Sequence, residues 1–138
     1  MVAVRYFSRS GNIQKLAKAI ADTLHTEAET TDADLTEKAD ILFLGSAVYA
    51  GKFDPAVGAF LERNKEKIGM LAVFSSSASG KSTYGKLKEF AENRGISVSE
   101  KQFVCPGHFL FLHRGRPDES DLKNAQAFAQ DVCAGRNA

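Results

Sequence analysis

Two cysteines, a net charge of +1 and no long apolar run set the first limits on this 138-residue chain. A charge balance that close to zero gives no global pull toward nucleic acid or a charged membrane surface. No run of apolar residues approaches the roughly 18 that would suggest a membrane span. No charged-then-apolar leader precedes the first strand-like run, which begins at Val2. A cytoplasmic protein without nucleic-acid or membrane partners is therefore expected. Cys105 and Cys133 share no metal-like spacing with each other or with the histidines, and disulfides are rare in the cytosol. A reduced, structural pair is the expected reading.

What is present is enough to fold on. With 43% hydrophobic and 25% charged residues, the chain has the make-up of one compact globular domain over 1–138. The stretch that organises it is Val2-Ala3-Val4-Arg5-Tyr6-Phe7-Ser8-Arg9-Ser10-Gly11-Asn12-Ile13. An apolar, β-branched run stops at a cluster of hydroxyls, Gly11 and Asn12, and an amphipathic helical pattern starts at once. Such a strand–loop–helix junction aims unpaired N–H groups and the positive end of the helix dipole at one point, which suits a phosphate. Ser8, Ser10 and Asn12 add side-chain donors. Ser, Gly and Asn are also ordinary turn residues, so the loop taken alone can equally be read as a capped turn.

Ile13, Leu16, Ala17, Ile20 and Leu24 then recur on one helical face, predicting a helix over about 12–24. Residues 27–31 form a short edge-strand candidate, and 32–39 a polar connection with room for one helical turn. Asp40-Ile41-Leu42-Phe43-Leu44-Gly45 is a continuous apolar run of the kind buried on both faces of a parallel sheet. Asp54-Pro55 reads as an N-cap with proline at the first helical position, followed by Val57, Phe60 and Leu61 as the buried face. A fourth strand is expected over 70–74, and the hydroxyl-rich loop 75–82 comes next. A helix carrying Tyr84, Leu87, Phe90 and Ala91 is ended by Gly95. Residues 96–105 are strand-like, 106–117 irregular, and the last helix covers about 118–132. This alternation argues for an open parallel sheet with helices on both faces. Ligands of such sheets bind beyond the carboxyl ends of the strands. The loops 8–12, 46–53 and 75–82 all fall at that edge.

Gly80-Lys81-Ser82-Thr83 mimics the end of a nucleoside-triphosphate loop, but that pattern needs a glycine where Ser75 stands. His108 and His113, with Arg114 and Arg116 nearby, have no carboxylate or cysteine at ligand spacing and read as surface or capping residues. Arg5 is out of place in a central strand and is expected to reach a sheet edge or a carboxylate.

With these features in sequence order, the chain resembles a short-chain member of the flavodoxin family. Tyr6-Phe7-Ser8-Arg9-Ser10-Gly11-Asn12-Ile13 is similar to that family's phosphate loop. Gly45-Ser46-Ala47-Val48-Tyr49-Ala50-Gly51 is similar to its second loop, where an aromatic residue stacks on the flavin. The resemblance implies an α/β flavodoxin-like three-layer sandwich, a five-stranded parallel sheet in the order 2-1-3-4-5 with helices on both faces. It also implies noncovalently held flavin mononucleotide (FMN). Ser8, Ser10 and Asn12 would bond the phosphate with side chains, and Arg9, Gly11 and Ile13 with backbone amides. Tyr49 would stack on the isoalloxazine ring, with Ser46 and Val48 on the same loop. A peptide between Tyr49 and Gly51, through Ala50, would face N5. Ser75, Ser76, Ser77 and Gly80 would offer backbone groups to the pyrimidine edge, and Tyr84 is either a second stacking aromatic or a core residue.

Three departures bear on affinity. Ile13 replaces the family's final Thr, Val48 stands where many relatives have Thr, and the third loop lacks the usual Asp. The resemblance implies an electron-transfer protein working with redox partner proteins. A small FMN-dependent oxidoreductase that uses a quinone, nitro compound or porphyrin as acceptor is the alternative, and a cofactor-free binding module the third reading. Arg9, Lys52 and Lys81 near the expected site, in place of the acidic surface common in the family, predict a less negative low-potential couple.

Overall fold

The structure, a computed structural model, describes residues 1–7, 11–47, 52–76, 82–105 and 117–136. Along the chain run β1 (Val2–Phe7), α1 (Asn12–Thr23), β2 (Ala28–Thr30), β3 (Ile41–Ala47), α2 (Pro55–Asn64) and β4 (Met70–Ser76). They are followed by α3 (Tyr84–Glu92), β5 (Ser97–Cys105) and α4 (Glu119–Arg136), and one 3₁₀ turn, Lys65–Lys67, extends α2. The five strands are all parallel, in the order β2-β1-β3-β4-β5. The sequence of the connections, outward from β1 to β2 and then back across to β3, places a topological switch between β1 and β3.

Alternation along the central strands explains the layers. Val4, Ile41, Phe43, Ala72 and Phe74 point to one face, where Ile13, Leu16 and Ile20 of α1 and Ala125, Phe128 and Val132 of α4 cover them. Ala3, Leu42, Leu44, Leu71 and Val73 point to the other, under Val57, Phe60 and Leu61 of α2 and Leu87 and Ala91 of α3. Successive residues of a strand face opposite ways, so a strand buried on both sides must be apolar throughout. That is why Ile41-Leu42-Phe43-Leu44 has no polar member.

Local chemistry sets the helix ends. The Asp54 side chain accepts the Ala56 N–H at 2.9 Å, and Pro55 follows at the first helical position. Ahead of α4, Asp118 and Asp121 each accept the other's backbone N–H at 2.9 Å, a reciprocal capping pair. The helix then runs on to Arg136, past the expected end at Val132. Gly95, at φ +79°, turns the chain out of α3, and buried Ile96 follows it into β5.

Two expectations are resolved by one device. Residues 32–39 contain no helical turn, because side chains occupy the backbone groups a turn would use. Asn64 Oδ1 accepts the Leu35 N–H at 2.9 Å, and Lys67 Nζ donates to the Leu35 carbonyl at 3.0 Å. Arg63 Nη2 donates to the Thr31 carbonyl, and Arg5 Nε to the Ala33 carbonyl, at 2.9 and 2.8 Å. Arg5 therefore does reach the sheet edge, and its guanidinium also lies 3.2 Å from Glu29 on β2. Burial lowers the Arg5 pKa from its ordinary value, while Glu29 and Asp34 work against that shift and favour the cation. The three-residue length of β2 leaves the room that Arg5 needs.

At the opposite edge, β5 departs from a regular ladder. Leu71 pairs with Val98 and Val73 with Gln102, so Ala72 alone is matched by Ser99, Glu100 and Lys101. This bulge bends β5 where the Tyr84 hydroxyl donates to the Ser99 carbonyl at 2.8 Å.

Candidate functional site

The strand ends at the carboxyl edge are in register. Phe7 lies beside Ser46, Ser46 beside Ser75, and Ser76 beside Cys105. The central strands change character there, since apolar runs give way to Ser46, Ser75 and Ser76, all buried. A fully buried hydroxyl needs a partner, and each of the first two has one. Ser46 Oγ donates to the Ala47 carbonyl at 3.0 Å, and Ser75 Oγ lies 2.9 Å from Thr83 Oγ1.

Facing β1's end is the start of α1. Gly11 takes φ +87°, the left-handed region, and a Cβ placed on it would meet nothing within 4 Å. The residue is thus required for its backbone conformation, with no crowding from the described residues. Among the described residues no side chain caps α1, and its first turn holds no acidic residue. Asn12 is half-buried, while the Ile13 side chain is fully buried in the core with Leu16 and Ile20. Ile13 therefore has only its backbone to offer a ligand. The first turns of α2 and α3 also lack acids, whereas α4 begins with Glu119 and Asp121.

At the third connection, Tyr84 stands on the first turn of α3 with its ring packed against the core on the α2–α3 face. Its hydroxyl is held by Ser99, and Lys88 Nζ lies 5.9 Å from the ring centroid. The tyrosine thus joins α3 to the β5 bulge, which fits the core reading. Of the expected site residues, Gly11, Asn12, Ile13, Ser46, Ser75, Ser76 and Tyr84 are brought to this edge. Ser8, Arg9, Ser10, Val48, Tyr49, Ala50, Gly51, Ser77 and Gly80 lie outside the described residues, as do Lys81, His108, His113, Arg114 and Arg116.

One residue the sequence reading passed over is Thr83, fully buried opposite Ser75. Its only signal was a hydroxyl at a helix start, eight residues after another at a strand end. Elsewhere, a groove of about 360 Å³ between α1 and β2, lined by Tyr6, Lys18, Asp22 and Glu27, shares no residue with the strand-end connections. Cys105 and Cys133 form no disulfide with each other, and burial pushes the Cys133 thiol up from its ordinary value. Among the described residues no three His, Cys, Asp or Glu side chains cluster as metal ligands would, and no helix is long and apolar enough to cross a membrane.

The sequence pattern of the flavodoxin domain matches residues 3–108. The chain belongs to the flavodoxin family. An uncharacterised protein of Methanocaldococcus jannaschii is 27% identical over 135 residues, covering 88% of this chain and 89% of that one. Among solved structures, a flavodoxin from the domain Archaea superposes with a TM-score of 0.76 at 16% identity, covering 99% of both chains. Rubredoxin oxygen:oxidoreductase of Desulfovibrio gigas gives 0.75 at 18% identity over 97% of this chain, which spans 35% of that larger one. A Lactobacillus acidophilus flavoprotein, solved in complex with FMN, gives 0.60 at 18% identity over 75% of this chain and 91% of its own. These structures share the flavodoxin fold, and the strand order and two-sided helix cover seen here are that fold's.

Proposed function

We propose that this flavodoxin-family protein binds FMN noncovalently at the carboxyl edge of its sheet and carries electrons between partner proteins. The observation that carries the reading is the start of α1. At the switch between β1 and β3, a left-handed Gly11 leads into a helix that has no acidic residue in its first turn and, among the described residues, no side-chain cap. That is where a phosphate is favoured, by the dipole and by backbone donors.

The residues present fit the group. Asn12 and the 8–13 backbone would hold the phosphate, and the 48–51 loop, with Tyr49, would cover the ring. The roots of the third loop, Ser75 and Ser76, would support the ring's polar edge. Bound flavin supplies the one- and two-electron chemistry, while the protein sets orientation, access and potential. Ile13 gives no hydroxyl to the phosphate, and a hydrogen bond to a charged group contributes up to about 3 kcal/mol. Affinity is therefore expected to fall ten- to a hundredfold below that of relatives with a threonine there, without being abolished.

The test is an absorbance spectrum of freshly purified protein, followed by titration of the apoprotein with FMN and riboflavin. Flavin bands in the pure protein, and quenching of added FMN fluorescence with riboflavin bound far more weakly, are the expected results. Reduction through a reductase protein, with no turnover of a quinone or pyridine nucleotide alone, would mark a carrier. A colourless protein that leaves FMN fluorescence unchanged would overturn the reading.

A further inference from the structure

We propose that the border formed by β2, with the groove beside it, is a docking surface for a partner protein that presents an extended segment rich in lysine or arginine. The groove shares no residue with the strand-end connections, so the inference stands whether or not flavin is bound.

Charge along this border is one-sided. Residues 19–37 hold six carboxylates, Asp22, Glu27, Glu29, Asp32, Asp34 and Glu37, and no lysine or arginine, in a chain whose net charge is +1. Two of the six are met inside the fold, Glu29 by Arg5 and Asp34 by Arg63. Asp22, Glu27 and Asp32 bracket β2, are exposed, and make no ion pair among the described residues. Lys18 stands one turn before Asp22 on α1 without bonding it. With the cation first, that order along a helix is the weaker one.

The shape of the border suits an added segment. β2 is the outermost strand and pairs only with β1. Thr31 gives its N–H to the Tyr6 carbonyl at 3.0 Å, so Glu29 shares that side, and Ala28 turns its own N–H and C=O outward. Between this strand and α1 lies the groove of about 360 Å³. Ala21, Ala28 and the half-buried Tyr6 give it an apolar lining, and Asp22 and Glu27 give it negative charge.

These features fit one occupant. An extended segment adds to the open side of β2 through its main chain, as in β-strand addition. One of its basic side chains lays its methylenes along Ala21, Ala28 and the Tyr6 ring and brings its charged head to Asp22 and Glu27. An acidic segment would be repelled there, and an apolar one would strip water from two carboxylates without replacing it. A second copy of this chain, meeting border to border, would set the same carboxylates against each other.

The test is an amide NMR titration of the intact protein with a peptide of alternating lysine and valine, and with its glutamine-for-lysine counterpart. The basic peptide is expected to shift the amide signals of residues 18–30, and the glutamine peptide to bind at least about tenfold more weakly. Asp22→Asn with Glu27→Gln should weaken the basic peptide about tenfold, as expected for two exposed ion pairs, and leave the melting temperature unchanged. Added salt should weaken the parent in the same way and the double variant much less.

Equal binding of the two peptides would overturn the proposal, as would a double variant that binds like the parent. Shifts centred on Ser46, Ser75 and Ser76 would also overturn it, by moving the contact to the strand ends. Shifts over 18–30 that grow with protein concentration alone would put a second copy on the border in the partner's place.

Discussion

Gly45 of β3 lies against the ring of Phe74 on β4, its register partner, so that an added Cβ would collide with the ring edge at Cε2 and Cζ. The glycine that ends the apolar run is there for ring packing, ahead of any role in a turn. Gly45→Ala is expected to lower stability by about 1–3 kcal/mol, the usual cost of overpacking a core. Gly45→Ala combined with Phe74→Leu should recover much of that loss. Urea unfolding of the two singles and the double checks it, and additive losses would show that the two positions do not touch.

Asn64 should prove one of the costlier polar positions to lose. It is 2% exposed, accepts the Leu35 N–H, and donates to the Phe60 carbonyl and to Asp34 Oδ1. Asn64→Ala leaves the Leu35 N–H buried without that acceptor, at a cost of about 1–3 kcal/mol. Faster hydrogen exchange at Leu35 should accompany the loss. Exchange at Leu35 that does not change would show that another group holds the strap.

Acid should loosen the same region. Hydrogen bonds from Asn64 and Arg63 hold the Asp34 carboxyl below its ordinary 3.8, and those from Lys65 and Arg94 hold Glu62 below 4.5. A carboxylate whose pKa is depressed by folding adds stability above its unfolded value and loses it as the pH falls through the folded one. Stability is therefore expected to decline as the pH drops below about 4.5 and again below 3.8. Both groups are exposed, so the decline should shrink in high salt. Asn64→Ala should flatten its lower part, which acid titration of the melting temperature would reveal.

Gly11→Ala probes backbone conformation, since an added Cβ would meet no described residue within 4 Å. Left-handed geometry costs a residue with a Cβ roughly 1–2 kcal/mol. The apoprotein should lose about that much, Gly11→Asn less, and FMN affinity should fall in parallel. A variant as stable as the parent would mean that the junction can be rebuilt in another shape.

Charge at the site edge should show in the potential. Lys52, exposed just beyond the second loop, is not joined to a carboxylate among the described residues. With FMN bound as proposed, positive charge there would favour its anionic reduced form. Lys52→Glu, and separately added salt, should each make the low-potential couple more negative, by less than about 1 kcal/mol for so exposed a group. A shift in the positive direction would place the ring elsewhere.

Much of the fold could be read from side-chain type alone. A run such as Ile41-Leu42-Phe43-Leu44 has few places to go except a strand covered on both faces, and Asp54-Pro55 announces a helix in any context. Arg5 showed up as an anomaly whose resolution needed the length of β2, a tertiary fact. What stayed hidden were pairings between distant segments. Asn64 reads as one more polar residue in a charged run, and nothing in 32–39 says that its carbonyls and N–H groups are already spoken for. Thr83 was masked by a lookalike phosphate motif. At the candidate site, local pattern placed Gly11 at a strand–helix junction and Ser46, Ser75 and Ser76 at strand ends, positions the structure gives them. For Tyr84, the local pattern says nothing of the bond its hydroxyl makes to Ser99.

The irregular stretch at Ser99–Lys101 has a bearing on how these molecules meet one another. A straight nine-residue border strand would offer a second sheet an uninterrupted row of main-chain donors and acceptors on which to zip. Here that row is broken midway, and Glu100 and Lys101 stand exposed at the break. Two molecules approaching border to border would find only short, mismatched segments to join, so concentrated solutions should stay clear of fibrillar growth from this side.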